Sequence, residues 1–237
     1  MAIDRQSLIA MVSDFGAIDN YVGVMKGVIF NLFSGGQIAD ITHQIPPQNV
    51  RAAQFALATA VDYFPVGTVF LAVVDPGVGT TRRAIALRTE RYQFIGPDNG
   101  LFSTVLQRHR AIAAVQLDNP IYWRSPDPSA TFHGRDIFAP AAAHLAAGVP
   151  LENLGTAIAP ETLTQLTPPT PTPMDQGGWL GEIQYVDRFG NLVTTFPGDW
   201  VGDRPWAIDL DIPERKSIAG GQTYGDTEPG ALIALVG

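Results

Sequence analysis

Short apolar runs alternate with segments of helical periodicity over the first part of the chain. Segments 7–12, 37–42 and 69–74 have the length of strands, and 69–74, which reads VFLAVV, is wholly apolar, as expected for a strand buried in a parallel sheet. The two intervening segments repeat apolar residues every three or four positions, which predicts helices. The residues able to cap these helices are Asp19 or Asn20 and Asn49. The order strand, helix, strand, helix, strand predicts a parallel sheet with right-handed crossovers.

The alternation continues to residue 160 and then changes. Further strands are predicted at 84–88, 92–95 and 111–117, and further helices at 101–107 and 137–147. Residues 160–178 are rich in Pro and Thr and lack apolar periodicity, which is typical of a semi-rigid linker. Beyond them, short alternating runs predict strands at 181–186, 192–196, 206–210 and 232–236.

These patterns predict an α/β fold, in which an N-terminal, mostly parallel sheet flanked by helices is followed by a small C-terminal β-barrel-like domain. We assign residues 1–167 to the α/β domain, 168–178 to a Pro-rich linker and 179–237 to the β domain. A hydrophobic content of 46% with 16% charged residues supports this interpretation, because it is typical of a globular protein that forms a core.

Charge and cysteine content narrow the classes of function. The net charge of -8 argues against a nucleic-acid partner, since no basic stripe is present. The absence of cysteine excludes a disulfide framework, a thiolate nucleophile and a cysteine metal site. No apolar run reaches the length of a membrane span, and the N-terminus lacks the layout of a signal peptide. We therefore expect no membrane partner and a cytoplasmic location.

Acidic residues follow the predicted parallel strands at the edge where ligands gather in open α/β sheets. Asp14 comes after the first strand, and Asp75 opens the turn Asp-Pro-Gly-Val-Gly after the central strand, ahead of Arg82 and Arg83. This order can present an acid and a cation to one small cleft. Asp-Pro-Gly is also common turn chemistry, and Asp14 could instead cap a helix, so the pattern alone leaves both interpretations open.

Further candidates lie in polar loops. His133 sits in a loop before an Ala-rich helix, where an imidazole can be exposed and positioned or can be merely structural. Phe132 beside it can pack in the core or stack on a purine. Asp187 and Asn191 flank Phe189-Gly190, a sequence that also suits a plain hairpin turn.

Motifs for cofactors and metals are weak. No Gly-x-Gly-x-x-Gly follows the first strand and no Walker sequence is present, so no phosphate cradle is indicated. The four histidines show no zinc-type spacing. The Ser-Asp and His-Gly-Arg-Asp groups could hold a divalent ion, but we expect neither a metal nor a cofactor.

Several segments of the chain together resemble one known family, although any one alone would be weak. In order between residues 12 and 196 they read SDFGAIDNYVGVMKGVI, DITHQIPPQNVRAAQFAL, VFLAVVDPGVGTTRRAI, FIGPDNGLFS, ATFHGRDIFAPAAAHLAAG and VDRFGNLVTTF. The sequence is similar to the S-adenosyl-L-methionine hydrolases (adenosine-forming), or hydroxide adenosyltransferases, which are relatives of fluorinase and chlorinase. The resemblance implies an α/β domain, a C-terminal β domain and a homotrimer with its sites between subunits. The implied reaction is in-line attack of an activated water on the ribose C5′, giving adenosine and L-methionine.

The resemblance also implies roles for particular residues. The Asp-Arg-His set that handles the attacking water falls on Asp75, Arg82 and His133, with Arg83 one register step from Arg82. It leaves open whether Asp75 or His133 takes the proton.

Substrate-binding residues follow from the same matching. The ribose-binding Asp falls on Asp14, and the hairpin residues that contact the methionine and adenine ends of the substrate fall on Asp187 and Asn191. We add Phe132 as a substrate-binding aromatic.

Differences from the halogenating relatives favour water over halide as the nucleophile. In fluorinase a Tyr matches His133, a Ser that holds fluoride matches Gly134, and another Tyr matches Asp75. Three alternatives stay open: a halide-dependent adenosyl transferase making a 5′-halo-adenosine, a non-catalytic nucleoside-binding module, and a metal-dependent hydrolase. Family members usually continue beyond the position of Gly237 with a Ser-containing loop and two strands, so we expect a truncated C-terminus and an incomplete adenine pocket.

Overall fold

The computed structural model describes residues 8–175, 177–202, 205–211 and 216–237. These residues form two compact units that divide between Pro168 and Pro169.

The N-terminal unit is built on a seven-stranded sheet with the order β2-β1-β3-β5-β4-β6-β7. Its strands are β1 (Leu8–Ser13), β2 (Gln37–Thr42), β3 (Val69–Val73), β4 (Ala84–Arg88), β5 (Gln93–Pro97), β6 (Ala113–Gln116) and β7 (Thr156–Ile158). The four strands β2, β1, β3 and β5 run parallel to one another, whereas β4 is antiparallel to β5 and β6, and β7 is antiparallel to β6. The predicted α/β fold with a mostly parallel sheet is therefore confirmed.

Four α-helices flank this sheet in the described part of the unit. They are α1 (Tyr21–Leu32), α2 (Val50–Ala60), α3 (Ser103–Arg108) and α4 (Ala139–Ala146). The predicted cap of α2 is present, because the Asn49 side chain accepts a 3.0 Å hydrogen bond from the Ala52 N–H. Asn20 is at the N-cap of α1, but its side chain makes no capping hydrogen bond. The polar residue was correctly located there, but its side chain does not act as predicted.

A large core cluster lies between the sheet and the pair α1 and α4. Every residue of β3 is buried, which matches the wholly apolar sequence of this strand. Met25 and Ile29 of α1 pack in the same cluster as the alanines of α4. Small side chains on α4 let its backbone approach the sheet closely, so the loop that precedes this helix is held near the ends of the central strands.

The C-terminal unit consists of short antiparallel pairs. They are β8 (Thr172–Pro173) with β9 (Trp179–Leu180), β10 (Ile183–Val186) with β11 (Leu192–Thr194), and β12 (Ala207–Leu210) with β13 (Lys216–Ala219). The prediction of a strand at 232–236 is wrong, because in this segment Ala234 makes only an isolated bridge with Gly220. The strands β8, β9 and β13 were not predicted, and β8 lies within the residues assigned to the linker.

Among the described residues, no helix combines the length and the apolar character that crossing a membrane requires.

Candidate active site

Two acidic residues leave the sheet at neighbouring strand ends. Ser13 at the end of β1 pairs with Val73 at the end of β3, so Asp14 and Asp75 follow adjacent parallel strands. The carboxyl ends of parallel strands meet at one edge of a sheet, which is where ligands bind in open α/β folds. The structure therefore brings these two predicted site residues to the same edge.

Arg82 joins Asp75 to His133. Its Nε donates to both carboxylate oxygens of Asp75 at 3.0 Å, and its Nη2 donates to Oδ2 at 2.5 Å. The same Nη2 lies 2.7 Å from Nδ1 of His133. The side chains of Arg82 and Asp75 are only 10% and 6% exposed, so this charge pair is largely screened from water. Charge-assisted, forked hydrogen bonds of this kind define geometry as well as contributing energy.

The turn after β3 shapes the approach of Arg82. Thr80 donates from Oγ1 to the Gly77 carbonyl at 2.7 Å, and the Arg82 N–H donates back to Thr80 Oγ1 at 3.3 Å. Gly79 has a φ of +76°, and a Cβ there would lie 2.5 Å from the carbonyl oxygen of Ala130. Glycine is required here for both reasons. The turn can thus rest directly against the loop that carries His133.

Arg83, one residue further along, makes a separate pair. Its Nε donates to Asp98 Oδ2 at 2.8 Å, and its Nη2 donates to the Thr162 carbonyl at 2.5 Å. Thr164 donates its N–H to the other oxygen of Asp98 at 2.8 Å. Of the two neighbouring arginines, Arg82 is the one in the Asp75 and His133 cluster, while Arg83 ties down the segment that leads out of the unit.

His133 immediately precedes a π-helical turn, Gly134–Phe138, that continues into α4. Pro140 has no N–H to donate to the Asp136 carbonyl, and that carbonyl instead accepts the Arg124 N–H at 2.9 Å. The buried Asp136 side chain also accepts from Arg135 Nε at 2.7 Å and from the Ser129 N–H at 2.9 Å. These contacts hold the loop and the first turn of the helix together around His133, and π turns are frequent at functional sites.

Burial and the neighbouring charges together determine the charge state of His133. Burial is the main cause that lowers the pKa of His133 below its ordinary value, and the positive charge of Arg82 lowers it further, against smaller opposing effects of Asp75 and Asp136. A guanidinium can only donate hydrogen bonds. Nδ1 of His133 must therefore be the acceptor, and the single proton of the neutral ring lies on Nε2.

Asp14 is held by the loop after β2. The Gln48 N–H donates to Asp14 Oδ2 at 2.7 Å. Gln48 has a φ of +64°, a conformation that few residues with a side chain adopt and that is common at functional sites. Within the described chain no hydrogen bond reaches the other carboxylate oxygen, Oδ1, so Asp14 can accept a hydroxyl from a ligand.

Phe132 belongs to an aromatic cluster that sequence reasoning missed. Its ring centre lies 5.8 Å from that of Phe15 and 5.4 Å from that of Tyr21, both edge-on. The Arg135 guanidinium lies 5.2 Å from the same ring. Phe15 and Tyr21 both occur in the segment SDFGAIDNY that follows β1. Their position close to Asp14 in the sequence was the signal that could have identified them as candidate site residues.

Asp187 and Asn191 form the hairpin turn of the C-terminal unit. Asn191 donates its backbone N–H to Asp187 Oδ1 at 2.8 Å and its side-chain amide to Oδ2 at 2.7 Å. The hydrogen bond from the Asn191 amide is the main cause that lowers the pKa of Asp187. Gly190 completes the turn with a φ of +88°. These contacts account for the turn by themselves.

Metal ligands are not grouped in the part of the chain described. No set of three or more His, Asp or Glu side chains lies close enough together there to hold an ion. The Asp136 carboxylate of the His-Gly-Arg-Asp sequence is engaged by Arg135 instead.

Both parts of the chain match one family of proteins. Residues 9–155 match the SAM hydroxide adenosyltransferase N-terminal domain, and residues 181–237 match the C-terminal domain of the same family. An (R)-S-adenosyl-L-methionine hydrolase from Salinispora tropica is 42% identical over 229 residues, which cover 96% of this chain and 85% of that protein. A hydrolase of the same name from Thermus thermophilus is 42% identical over 236 residues, covering 95% of this chain and 86% of its own.

More distant similarity extends to halogenating enzymes. A fluorinase from an Actinoplanes species is 31% identical over 219 residues, covering 82% of this chain and 73% of the fluorinase.

The crystal structure of an uncharacterized conserved protein from Thermotoga maritima has a TM-score of 0.85 and 37% identity, covering 95% of this chain and 86% of that one. Because two family domains match in order and full-length relatives match over nearly the whole sequence, the chain belongs to the SAM hydroxide adenosyltransferase family.

Proposed function

We propose that this protein hydrolyses S-adenosyl-L-methionine to adenosine and L-methionine, with Asp75, Arg82 and His133 holding the attacking water. The observation that carries the proposal is the bridge that Arg82 makes between the Asp75 carboxylate and Nδ1 of His133. The names of the hydrolases at 42% identity support the same substrate and reaction.

The proposed substrate needs little help in losing its leaving group. The positive sulfonium makes the ribose C5′ electrophilic, and the departing methionine is a neutral thioether that requires no general acid. What the site must supply is a water molecule in line with the C5′–S bond and a group that accepts its proton. Positioning can contribute up to roughly 7–11 kcal/mol in well-oriented reactions, and general base catalysis typically contributes about 10²–10⁴-fold.

The hydrogen bonds of the cluster divide these two tasks. With its proton on Nε2, the neutral His133 ring can donate to the water oxygen but has no second lone pair to accept a proton. Asp75 can accept one, because each carboxylate oxygen has capacity for more than the bonds from Arg82. We therefore assign the positioning of the water to His133 and the acceptance of its proton to Asp75, with Arg82 fixing both.

The remaining predicted residues are assigned to parts of the substrate. Asp14 would accept the ribose hydroxyls, in keeping with the single hydrogen bond to its Oδ2 and the strand end it shares with Asp75. Phe132 would stack on the adenine base. Asp187 and Asn191 would contact the methionine and adenine ends.

Assembly and cofactor use complete the proposal. We propose a homotrimer with its sites at subunit interfaces, and a reaction that needs no metal, both following from membership of the family. The cytoplasmic location stays a prediction.

The surroundings of Gly134 favour water over halide. A Cβ at this buried residue would lie 3.1 Å from Met25 Sδ, 3.3 Å from Phe132 and 3.4 Å from Phe15. A serine side chain that could hold a halide would therefore crowd three neighbours. A halide site would need an uncharged pocket, but this site contains the Asp75 carboxylate.

The test is chromatography of the purified protein after incubation with S-adenosyl-L-methionine in chloride-free buffer. Equal amounts of adenosine and methionine are expected, unchanged by a chelator, and added chloride should give no 5′-chloro-adenosine. His133→Ala and Arg82→Ala should both lose most of this activity. Parental rates in both variants would refute the assignment of the cluster, and the absence of methionine with the parent protein would refute the hydrolase function.

A further inference from the structure

A second chain of polar side chains runs beside the proposed site, through residues the hydrolytic mechanism does not use. Lys26 Nζ lies 2.6 Å from Asp40 Oδ2, Asp40 Oδ1 lies 3.0 Å from His43 Nε2, and His43 Nδ1 lies 2.7 Å from Ser13 Oγ. We call Ser13, His43 and Asp40 the Ser13 relay. It runs from the Asp40 side chain, which is 41% exposed, to Ser13, which is 1% exposed.

The direction of each hydrogen bond in the Ser13 relay can be assigned. An ionised carboxylate only accepts, so the proton on His43 must lie on Nε2, facing Asp40. With its one proton on Nε2, the His43 ring accepts the Ser13 hydroxyl at Nδ1, which leaves the Ser13 oxygen to accept the Phe15 N–H at 3.4 Å. Although partial burial acts to raise it, hydrogen bonds from Lys26 and His43 hold the pKa of Asp40 below its ordinary value. The acceptor end of the relay is thus charged at neutral pH.

The Ser13 relay is not a nucleophilic triad. A serine, a histidine and an aspartate also form the triad of serine hydrolases, in which the Ser hydroxyl must reach the substrate. Here the Ser13 hydroxyl is enclosed, and its pairing with Val73 leaves it inside the sheet. The Ser13 relay must therefore act through the residues that it holds in place.

The residue held by the Ser13 relay is Asp14. Ser13 precedes Asp14 in the chain, and its oxygen anchors the backbone N–H of Phe15 on the other side. The loop carrying His43 adds two direct ties, from the Gly16 N–H to the His43 carbonyl at 2.8 Å and from the Gln48 N–H to Asp14 Oδ2 at 2.7 Å. The turn that presents Asp14 is therefore attached at two points to the loop that follows β2.

We propose that Ser13, His43 and Asp40 are positioning residues that hold the Asp14 carboxylate for the ribose hydroxyls of the substrate, an inference that rests on the proposed function. A carboxylate that is free to rotate accepts a hydroxyl less well than one already in place, because ordering it on binding costs entropy. The relay supplies that order before the ligand arrives.

The test compares two ligands that differ only at the ribose. The full-length protein is titrated calorimetrically with adenosine and with 2′,3′-dideoxyadenosine, which lacks both hydroxyls. Hydrogen bonds to a charged group are worth roughly tenfold to a hundredfold in affinity, so the parent should prefer adenosine by that factor. Ser13→Ala and His43→Phe should bring the preference down toward that of Asp14→Ala. Asp40→Ala, at the exposed end, should lower it with the least risk to folding.

The chain contains a matched control for His43. His109 Nε2 lies 2.8 Å from Asp62 Oδ1, and these side chains are 11% and 41% exposed, against 9% and 41% for His43 and Asp40. Asp62 precedes β3 and His109 follows α3, so this pair is at the opposite edge of the sheet from Asp14. His109→Phe should leave the preference for adenosine at its parental value.

The outcomes separate the two proposals. The Ser13 relay proposal is overturned if Ser13→Ala and His43→Phe keep the parental preference, if they weaken both ligands equally, or if Asp14→Ala itself leaves the preference intact. The release of methionine by the parent protein is measured independently. Its absence would overturn the hydrolase function, while the ligand preference would still decide whether the relay positions Asp14.

Discussion

Replacing Arg82 by lysine isolates the bridging role of this residue. Lysine keeps the positive charge next to the Asp75 carboxylate, but its three donors lie on one nitrogen at the end of a stem that is one atom shorter. It can maintain the contact with Asp75, but it falls short of the position of Nη2, the arginine atom that lies 2.7 Å from Nδ1 of His133. The substitution therefore breaks one hydrogen bond and retains the ion pair.

The size of the effect follows from that single contact. A hydrogen bond that involves a charged partner contributes about 1.5–3 kcal/mol, which corresponds to a decrease in kcat of roughly 10- to 100-fold if the bond positions His133 for the reaction. The free energy of unfolding should fall by less than the roughly 3–5 kcal/mol expected when a buried charge loses its partner altogether, because Asp75 keeps a cation beside it.

The assay is the initial rate of adenosine formation across a range of substrate concentrations, together with thermal unfolding of each variant. Arg83→Lys is the matched control, since Arg83 makes an equally forked contact with Asp98 and Thr162 outside the cluster. We expect Arg82→Lys to lower kcat with little change in KM, and Arg83→Lys to affect mainly stability. The reasoning would be refuted if Arg82→Lys kept the parental kcat, or if Arg83→Lys lowered it equally.

Two further predictions concern pH and the turn after β3. Because burial and then Arg82 lower the pKa of His133 from its ordinary 6.5, kcat should persist as the pH falls through 6.5 and decline only below it; a decline centred above 6.5 would contradict this. The folded state disfavours the protonated ring, so the stability that His133 contributes is present above pH 6.5 and is lost as the pH falls below it, as thermal unfolding at several pH values would detect. Gly79→Ala should lower the free energy of unfolding by about 1–3 kcal/mol and also lower kcat, because its Cβ would meet the Ala130 carbonyl that precedes His133 in the loop. Gly190→Ala is the control, with a φ of +88° but no atom within 4 Å of the new Cβ, and an equal loss of stability in both variants would show that the close contact is unimportant.

Local sequence was sufficient for the elements whose residues carry their own signal. The apolar run that became β3, the Asn49 cap of α2 and the alternation of strands and helices all depend on residues close together in the chain. The strands β7, β8, β9 and β13 were not predicted, and the strand at 232–236 was predicted wrongly. Such short segments become strands only when a partner pairs with them, which no local pattern records.

The π turn before α4 was also beyond the sequence prediction. A proline such as Pro140 is compatible with the first turn of a helix, but the form of this turn depended on a distant partner. The Arg124 N–H takes the Asp136 carbonyl that Pro140 cannot bond. Only the folded chain brings that N–H to the carbonyl.

For the site, the sequence determined which kinds of residue stand at the strand ends, and the resemblance named Asp75, Arg82 and His133. The choice between Arg82 and Arg83 was decided by the tertiary structure, because neighbouring side chains diverge only once the turn has its path. The Ser13 relay was invisible in the sequence for a related reason: Ser13 and His43 are 30 positions apart, and the parallel pairing of β1 with β2 brings their strand ends together. The chemical type of each residue can be read directly from the sequence. Its hydrogen-bond partners, in contrast, depend on the register of strands that are remote in sequence.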